Sequence, residues 1–480
     1  MLVGVRAPDA AMVLVVMRLR LSYVSVVVFP SGTGNDILDG GDGIDTADYS
    51  DVENEDLIID LTSQGEKTIS TLQSKDTFIS IEGAIGGQGD DILIGTSGAN
   101  TLVGEKGNDT IIGNGASSGT DYIDGGENDL GAGDLVSFTY TNKNLKVDLS
   151  FNTGSNANVA QVSGDGNLII KNIEDLLGGF GNDTLIGNDD KNTISGGTGN
   201  DTLVGKGGDG IDTADYSDVE NEDLIIDLTS QGEKTISTLQ GKDTFISIEG
   251  AIGGQGDDIL TGNAGNDFLE GKEGNDTLLG GTGDDTLKGG AGDDTFDGGD
   301  GIDTVDYSDV TNENLIIDLN SQGEKTISIN EGKDTFISIE GAIGGQGNDI
   351  LIGTSGANTL IGGAGSDTIL GNGSSSGIDY IDGGINDIGA GDLVSFASTN
   401  KNIKVDLSFN VGANENVAQN TGDGNLIMKN IEDIQGGFGN DILIGNDDKN
   451  TILGGTGNDT LVGKGANDTL IFVVRHLRSY

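Results

Sequence analysis

Between residues 253 and 306 the chain divides without remainder into six blocks of nine: GGQGDDILT, GNAGNDFLE, GKEGNDTLL, GGTGDDTLK, GGAGDDTFD and GGDGIDTVD. Glycine holds positions one and four of every block and aspartate holds position six. Position eight is Leu260, Leu269, Leu278, Leu287, Phe296 and Val305. Four positions kept in phase for six cycles make the nonapeptide the building unit, so the chain must fold by repetition rather than around one globular core. The same phase returns at residues 32–48, 86–112, 178–204, 344–370 and 436–471.

Longer copies lie over this period. GIDTADYSDVENEDLIIDLTSQGEKTIS begins at Gly43 and again at Gly210, a close variant begins at Gly301, and the segment starting at Gly113 recurs from Gly371. The chain therefore reads as an atypical apolar segment at 1–30, a first superunit at 31–207, a partial copy at 208–300 with the longest uninterrupted run, a second superunit at 301–472, and a basic tail at 473–480.

Within a nonapeptide the glycines mark a tight turn, because positive φ is costly for a residue with a Cβ. The first six residues are expected to form that turn. The last three form a short strand with position eight inward and positions seven and nine outward. Two nonapeptides then complete a coil of eighteen residues, and stacking coils at about 4.8 Å brings the position-six carboxylates of alternate blocks over one another. Asp258, Asp276 and Asp294 fall on one edge and Asp267, Asp285 and Asp303 on the other. Like charges at that spacing repel by roughly 1–4 kcal/mol, a repulsion that a divalent cation between turns converts into attraction.

Composition points the same way. With 85 Gly, no Cys, no Trp and a formal charge of -55, the chain has too little apolar surface per ordered residue to fold by burial alone. The acidic excess disfavours nucleic acid and anionic membrane surfaces as partners. Absence of cysteine removes disulfides and thiolate metal sites, and a single histidine, His476, removes most zinc and general-base chemistry. What remains is a hard cation that prefers oxygen, and Ca²⁺ suits carboxylates combined with turn carbonyls.

The repeat resembles the RTX family of hemolysin-type calcium-binding repeats, Gly-Gly-x-Gly-x-Asp-x-U-x with a large apolar residue at U, over residues 31 to about 472. The resemblance implies an all-β fold, a parallel β-roll or β-helix solenoid with longer β inserts. Several Ca²⁺ ions would be held at position six. Besides the six central aspartates, it makes Asp36, Asp45, Asp91, Asp109, Asp183, Asp201, Asp212, Asp349, Asp367, Asp441, Asp459 and Asp468 candidate metal ligands. Asn100, Asn192, Asn358 and Asn450 occupy position six in four departing blocks, where it implies weak or absent ions. The inserts are expected to form wider coils of the roll, with independent β excursions as the alternative, and Tyr49, Tyr216 and Tyr307 read as packing residues.

Catalytic signatures are weak. GASSG at 115–119 and GSSSG at 373–377 match Gly-x-Ser-x-Gly, but a serine hydrolase needs a histidine, and His476 sits in the tail; both read as flexible insertions. No zinc-protease, phosphate-loop or EF-hand motif occurs. Carboxylate pairs for glycoside hydrolysis are absorbed by the repeat positions, and position three of the central blocks lacks the threonine row an ice-binding face needs.

All five arginines, both prolines and His476 are terminal, so both ends read as foreign to the repeats. Residues 1–30, broken by Arg18 and Arg20, are too short on either side of the break to span a membrane, and they lack a clean secretory signal. Export, expected from the resemblance by a type I route, would rest on a signal other than the basic FVVRHLRSY. The expected protein is a non-enzymatic, extracellular Ca²⁺-binding spacer or adhesive element that folds on binding the ion. A cell-surface or matrix polymer is the remaining partner class. The rival expectation is the repeat region of a larger RTX toxin or hydrolase.

Overall fold

The computed structural model describes residues 28–30 and 34–472, apart from 54, 63–64, 71–73, 114–118, 128–132, 153–155, 209, 230–231, 238–239, 312, 321–322, 329–330, 372–376, 387–390 and 410–415. Most of residues 1–30, the tail with His476, and the greater part of both Gly-x-Ser-x-Gly segments lie outside the described residues. Among the described residues 49 strands follow one another along the chain, most of them three residues long. Among the described residues no helix is long and apolar enough to cross a membrane. Two compact units emerge, one of Met1–Tyr216 with Gln231–Ile248, the other of Ser217–Ser230 with Glu249–Tyr480.

In the second unit the coil period is visible in the strand register. Leu260 pairs with Leu278 and Leu278 with Phe296, each eighteen residues on, in a parallel sheet. Leu269 pairs with Leu287 and Leu287 with Val305 in a second parallel sheet. Successive nonapeptides therefore alternate between two sheets whose position-eight side chains face each other, and all six are fully buried. Positions seven and nine are partly exposed, as in Thr277–Thr282 and Thr286–Ala291. An all-β parallel roll is the architecture found.

The strands of the central blocks run longer than three residues. Thr277–Thr282 pairs with Thr295–Asp300 through Gly281 and Gly299 as well as through the apolar triplet, so part of the next turn joins the sheet. Gly283 shows why the turn tolerates little else. Its φ is +130°, and a Cβ there would collide with the backbone carbonyl of Gly265 in the coil below.

The first unit repeats the plan with wider coils. Ile58–Asp60, Ile92–Ile94, Thr110–Ile112, Leu135–Ser137, Asp175–Leu177, Thr193–Ser195 and Thr213–Asp215 follow one another in parallel. Lys146–Asp148, Thr184–Ile186, Thr202–Val204 and Gly241–Ile246 form another such ladder. Both expectations for the inserts hold, each for a different part. Gly241–Ile246 continues the parallel ladder from Thr202–Val204, while Glu233–Ser237 folds back on it antiparallel. The same excursion appears at Gly65–Ser70 against Ser74–Ile79 and, in the second unit, at Gly323–Thr326 against Lys333–Ile337. An insert thus widens one coil by a hairpin and returns to register, because its second strand carries Thr-Phe-Ile in the place of the nonapeptide's last three residues.

Two substitutions separate the turn from the core. Gly283→Ala is expected to lower the melting temperature of the folded protein markedly, since both φ and space oppose it. Leu278→Ala should cost about 2–5 kcal/mol through the cavity it leaves. Denaturant melts would check both, and a Gly283→Ala variant as stable as the parent would contradict the close coil stacking.

Candidate metal centre

Each turn ends in the position-six residue, and the roll puts that side chain inside rather than on a solvated edge. Of the predicted ligands, Asp45, Asp91, Asp109, Asp183, Asp201, Asp212, Asp258, Asp267, Asp276, Asp285, Asp294, Asp303, Asp349, Asp367 and Asp441 are buried, most of them at 1 % exposure or less. Asp36, Asp459 and Asp468 are half-buried.

The carboxylates are held by backbone amides from the neighbouring coil. The N–H of Asp258 donates to Asp276 Oδ1 (2.7 Å), and that of Asp276 to Asp294 Oδ1 (2.7 Å). On the other side the N–H of Asp267 donates to Asp285 Oδ1 (2.8 Å) and that of Asp285 to Asp303 Oδ1 (2.9 Å). Asp183 to Asp201, Asp349 to Asp367 and Asp441 to Asp459 repeat the link. One oxygen of each accepting aspartate therefore belongs to a ladder that joins coils, while Asp267, at the start of its column, takes the amide of Asn263 in its own turn.

The second oxygen has two kinds of surroundings. At the start of a column it accepts the amide of the position-two residue, as Asp258 Oδ2 does from Gly254 (2.7 Å) and Asp349 Oδ2 from Gly345 (2.8 Å). Further along, Oδ2 of Asp109, Asp201, Asp276, Asp285, Asp294, Asp303 and Asp367 is buried without a hydrogen-bond partner. A buried carboxylate oxygen with no donor is costly. The same oxygens border space reserved by the position-one glycines. A Cβ at Gly280 would collide with Asp285 Oδ2 and come within 2.7 Å of the Gly298 carbonyl oxygen in the next coil, and Gly271 stands in the same relation to Asp276 Oδ2 and Gly289 O.

Charge and burial act together on these groups. Burial, with the neighbouring carboxylates adding to it, pushes Asp109, Asp201 and Asp276 up to about 8 and Asp294 and Asp367 to about 7. Asp91, Asp258 and Asp303 rise to about 6, and Asp285 rises as well, burial again being the main cause. Near neutrality the groups raised to about 7 or 8 keep a proton unless a cation meets their charge.

Among the described residues no three Asp, Glu or His side chains converge on one point. An ion held here must therefore draw on backbone oxygen too, which is the donor set that suits Ca²⁺ and disfavours zinc or copper. The orphaned Oδ2 atoms and the glycine carbonyls beside them fit such an ion. Bound, it supplies positive charge between stacked carboxylates; the chain's part is to hold Oδ1 on the amide ladder so that Oδ2 stays aimed at the turn.

Sequence reading missed part of the ladder. Asp76, Asp243 and Asp334, from the inserts, take the position-six place, receiving the N–H of Asp36, Asp201 and Asp294. Asp134 and Asp392 do so for Asp109 and Asp367. Glu82, Glu174, Glu340 and Glu432 receive the N–H of Asp45, Asp134, Asp303 and Asp392 through the longer side chain. The signal was present as a truncated motif, Asp-Thr-Phe-Ile or Gly-Asp-Leu-Val, without the leading glycine turn. Tyr49, Tyr216 and Tyr307 are buried, as packing residues should be, and each also donates its hydroxyl to Oδ2 of Asp76, Asp243 and Asp334 respectively. Burial holds those hydroxyls far above their ordinary range, so they remain donors.

The sequence matches the RTX calcium-binding nonapeptide repeat (4 copies) at residues 31–47, 85–118, 175–213, 251–278, 270–305, 343–375 and 432–470. No curated protein matches the chain.

The raised carboxylates fix a pH dependence. In the unfolded chain they titrate near 4, so between about pH 4 and pH 8 the ion-free folded state binds more protons than the unfolded one. Ion-free stability is then fullest below about pH 4 and is lost as pH rises through 6–8. Wherever the ion-free chain is folded, calcium must displace those protons, so its affinity for that folded state should fall on acidification from pH 8 to pH 6, with protons released on binding. Titration calorimetry in buffers of different ionisation heat measures the release at a pH where circular dichroism shows the ion-free chain folded; zero proton release from that folded start would show that the carboxylates are already ionised and the burial argument wrong.

Proposed function

We propose that this chain, which carries RTX calcium-binding nonapeptide repeats in a parallel β-roll, serves outside the cell as a calcium-stiffened structural element, a spacer or adhesive stalk, without catalysis of its own. The observation that carries the reading is the set of buried, partnerless Oδ2 atoms at Asp276, Asp285, Asp294 and their counterparts, repeated from coil to coil. A single such site would suit a catalytic or regulatory ion; a column of them makes the ion part of the fold. The position-six carboxylates are engaged in the ladder, where they accept backbone amides from adjacent coils.

Location follows from ion supply. Sites built from one carboxylate per turn plus neutral carbonyls resemble the weaker end of the calcium scale, roughly 10⁻⁴–10⁻³ M, where extracellular modules lie. Such a chain stays unfolded at the low free calcium of a cytoplasm and folds on reaching millimolar calcium, because binding only the folded state shifts the equilibrium toward it. Stiffness then appears where a surface or matrix polymer is to be reached.

Circular dichroism during a calcium titration of metal-free protein at pH 7.5 tests this. A cooperative gain of β signal with a midpoint between about 0.1 and 1 mM is expected. Equal β content in chelator and in millimolar calcium, or a midpoint below a micromolar, would remove the basis for an extracellular, calcium-built role.

A further inference from the structure

The columns of carboxylates are not uniform, and among the described residues seven turns hold a side-chain hydrogen-bond donor where turns such as those of Asp276, Asp285 and Asp294 leave a carboxylate oxygen without one. Four of these are the position-six asparagines. Asn100 Oδ1 accepts the amide of Thr96 (2.8 Å), as an aspartate Oδ2 does at the start of a column, while its Nδ2 donates to Thr96 O (3.0 Å), Gly98 O (2.6 Å) and Asp121 Oδ1 (3.2 Å). Asn358 repeats the arrangement toward Thr354 O (3.1 Å), Gly356 O (2.8 Å) and Asp379 Oδ1 (3.1 Å). One amide nitrogen thus joins two turn carbonyls to the carboxylate of the next coil, which is the set of oxygens a cation would gather.

Asn192 and Asn450 achieve a related closure with a different partner set. Their Nδ2 atoms donate to Glu174 O and Glu432 O (2.8 Å each) and to Asn188 and Asn446 Oδ1 (3.1 and 3.0 Å). All four asparagines are buried at 2 % exposure or less, so these donors are directed inward rather than shared with water.

The remaining three turns use tyrosine. The column Asp258, Asp276, Asp294 runs on to Asp334, whose Oδ2 receives the Tyr307 hydroxyl, so the last carboxylate has no bare oxygen to offer. Asp183 and Asp201 lead in the same way to Asp243 under Tyr216 (2.6 Å), and Asp36 leads to Asp76 under Tyr49 (2.6 Å). In each case the tyrosine closes the run preceding an insert and the aspartate sits on the insert's returning strand, so the cap forms only when the insert docks.

We propose that these seven turns take no calcium: the Asn100, Asn192, Asn358 and Asn450 amides and the Tyr49, Tyr216 and Tyr307 hydroxyls stand in for the cation, dividing the ion columns into short separate runs. The inference deepens the calcium reading and rests on it. Its physical basis is that a neutral N–H or O–H satisfies the same oxygens without the charge of a bound ion, so these turns need no ion of their own once the roll has formed. The inserts that follow Tyr49, Tyr216 and Tyr307 then mark limits of cooperative loading, since one column entering each of them ends on a capped carboxylate.

Counting ions on the full chain by native mass spectrometry at saturating calcium tests the proposal. Restoring the carboxylate at all four asparagine turns, in the combined variant Asn100→Asp, Asn192→Asp, Asn358→Asp and Asn450→Asp, is expected to add up to four ions to the parental count. Tyr307→Phe, which uncovers Asp334 Oδ2, should add one. Should the combined variant fail to fold in calcium, Asn358→Asp alone should still add one ion. An unchanged count in the asparagine variant that folds overturns the proposal, whatever Tyr307→Phe does. A parental chain without any ion sinks the calcium reading and this inference with it, whereas ions on the parent and no gain in the variants sink this inference alone.

Discussion

The interaction on which the rest depends is the hydrogen bond from a backbone amide in one coil to the carboxylate of the coil beside it. It fixes the position-six side chain inside the roll, where Asp276, Asp285 and Asp294 are almost wholly buried. Burying a carboxylate is costly unless its charge is met. One oxygen is met by the amide; the other must be met by a proton, a donor from the chain or a cation. Each turn in the protein can be sorted by which of these it uses.

That requirement also explains the glycines. Position one leaves room between Oδ2 and the carbonyl of the next coil, and position four lets the backbone turn beneath its neighbour. Neither is a free choice made for flexibility. The apolar core is narrow, one position-eight side chain per nonapeptide stacked on its equivalent eighteen residues away, as Leu260, Leu278 and Phe296 are. Such a core sets the register of the sheets but does little to offset the repulsion of the carboxylates beside it, so ion and core must act together.

Much of this was legible in the residues. Nine-residue phasing with a lone apolar position gives the parallel roll and the eighteen-residue coil, because strand alternation allows only position eight to face inward. The same phasing picks out eighteen aspartates, fifteen of which the fold buries. It did not reveal Asp76, Asp243 and Asp334, since each lies in an insert whose turn lacks the Gly-Gly-x-Gly prefix; they join the ladder only because a hairpin brings them back to register. Nor did it reveal the hydroxyl caps, as Tyr49 and Asp76 are 27 residues apart and nothing local links them.

The sequence by itself determined the period, the two faces of the coil and the kind of ion the turns suit, because each of these follows from contacts within one nonapeptide or between neighbouring repeats. Only the tertiary structure decided which carboxylate lies over which, and so which oxygens are capped by tyrosine or asparagine and which are left bare. Coil width varies with every insert, and a partner 18 or 40 residues away is selected by the closure of the coil rather than by the residues flanking it.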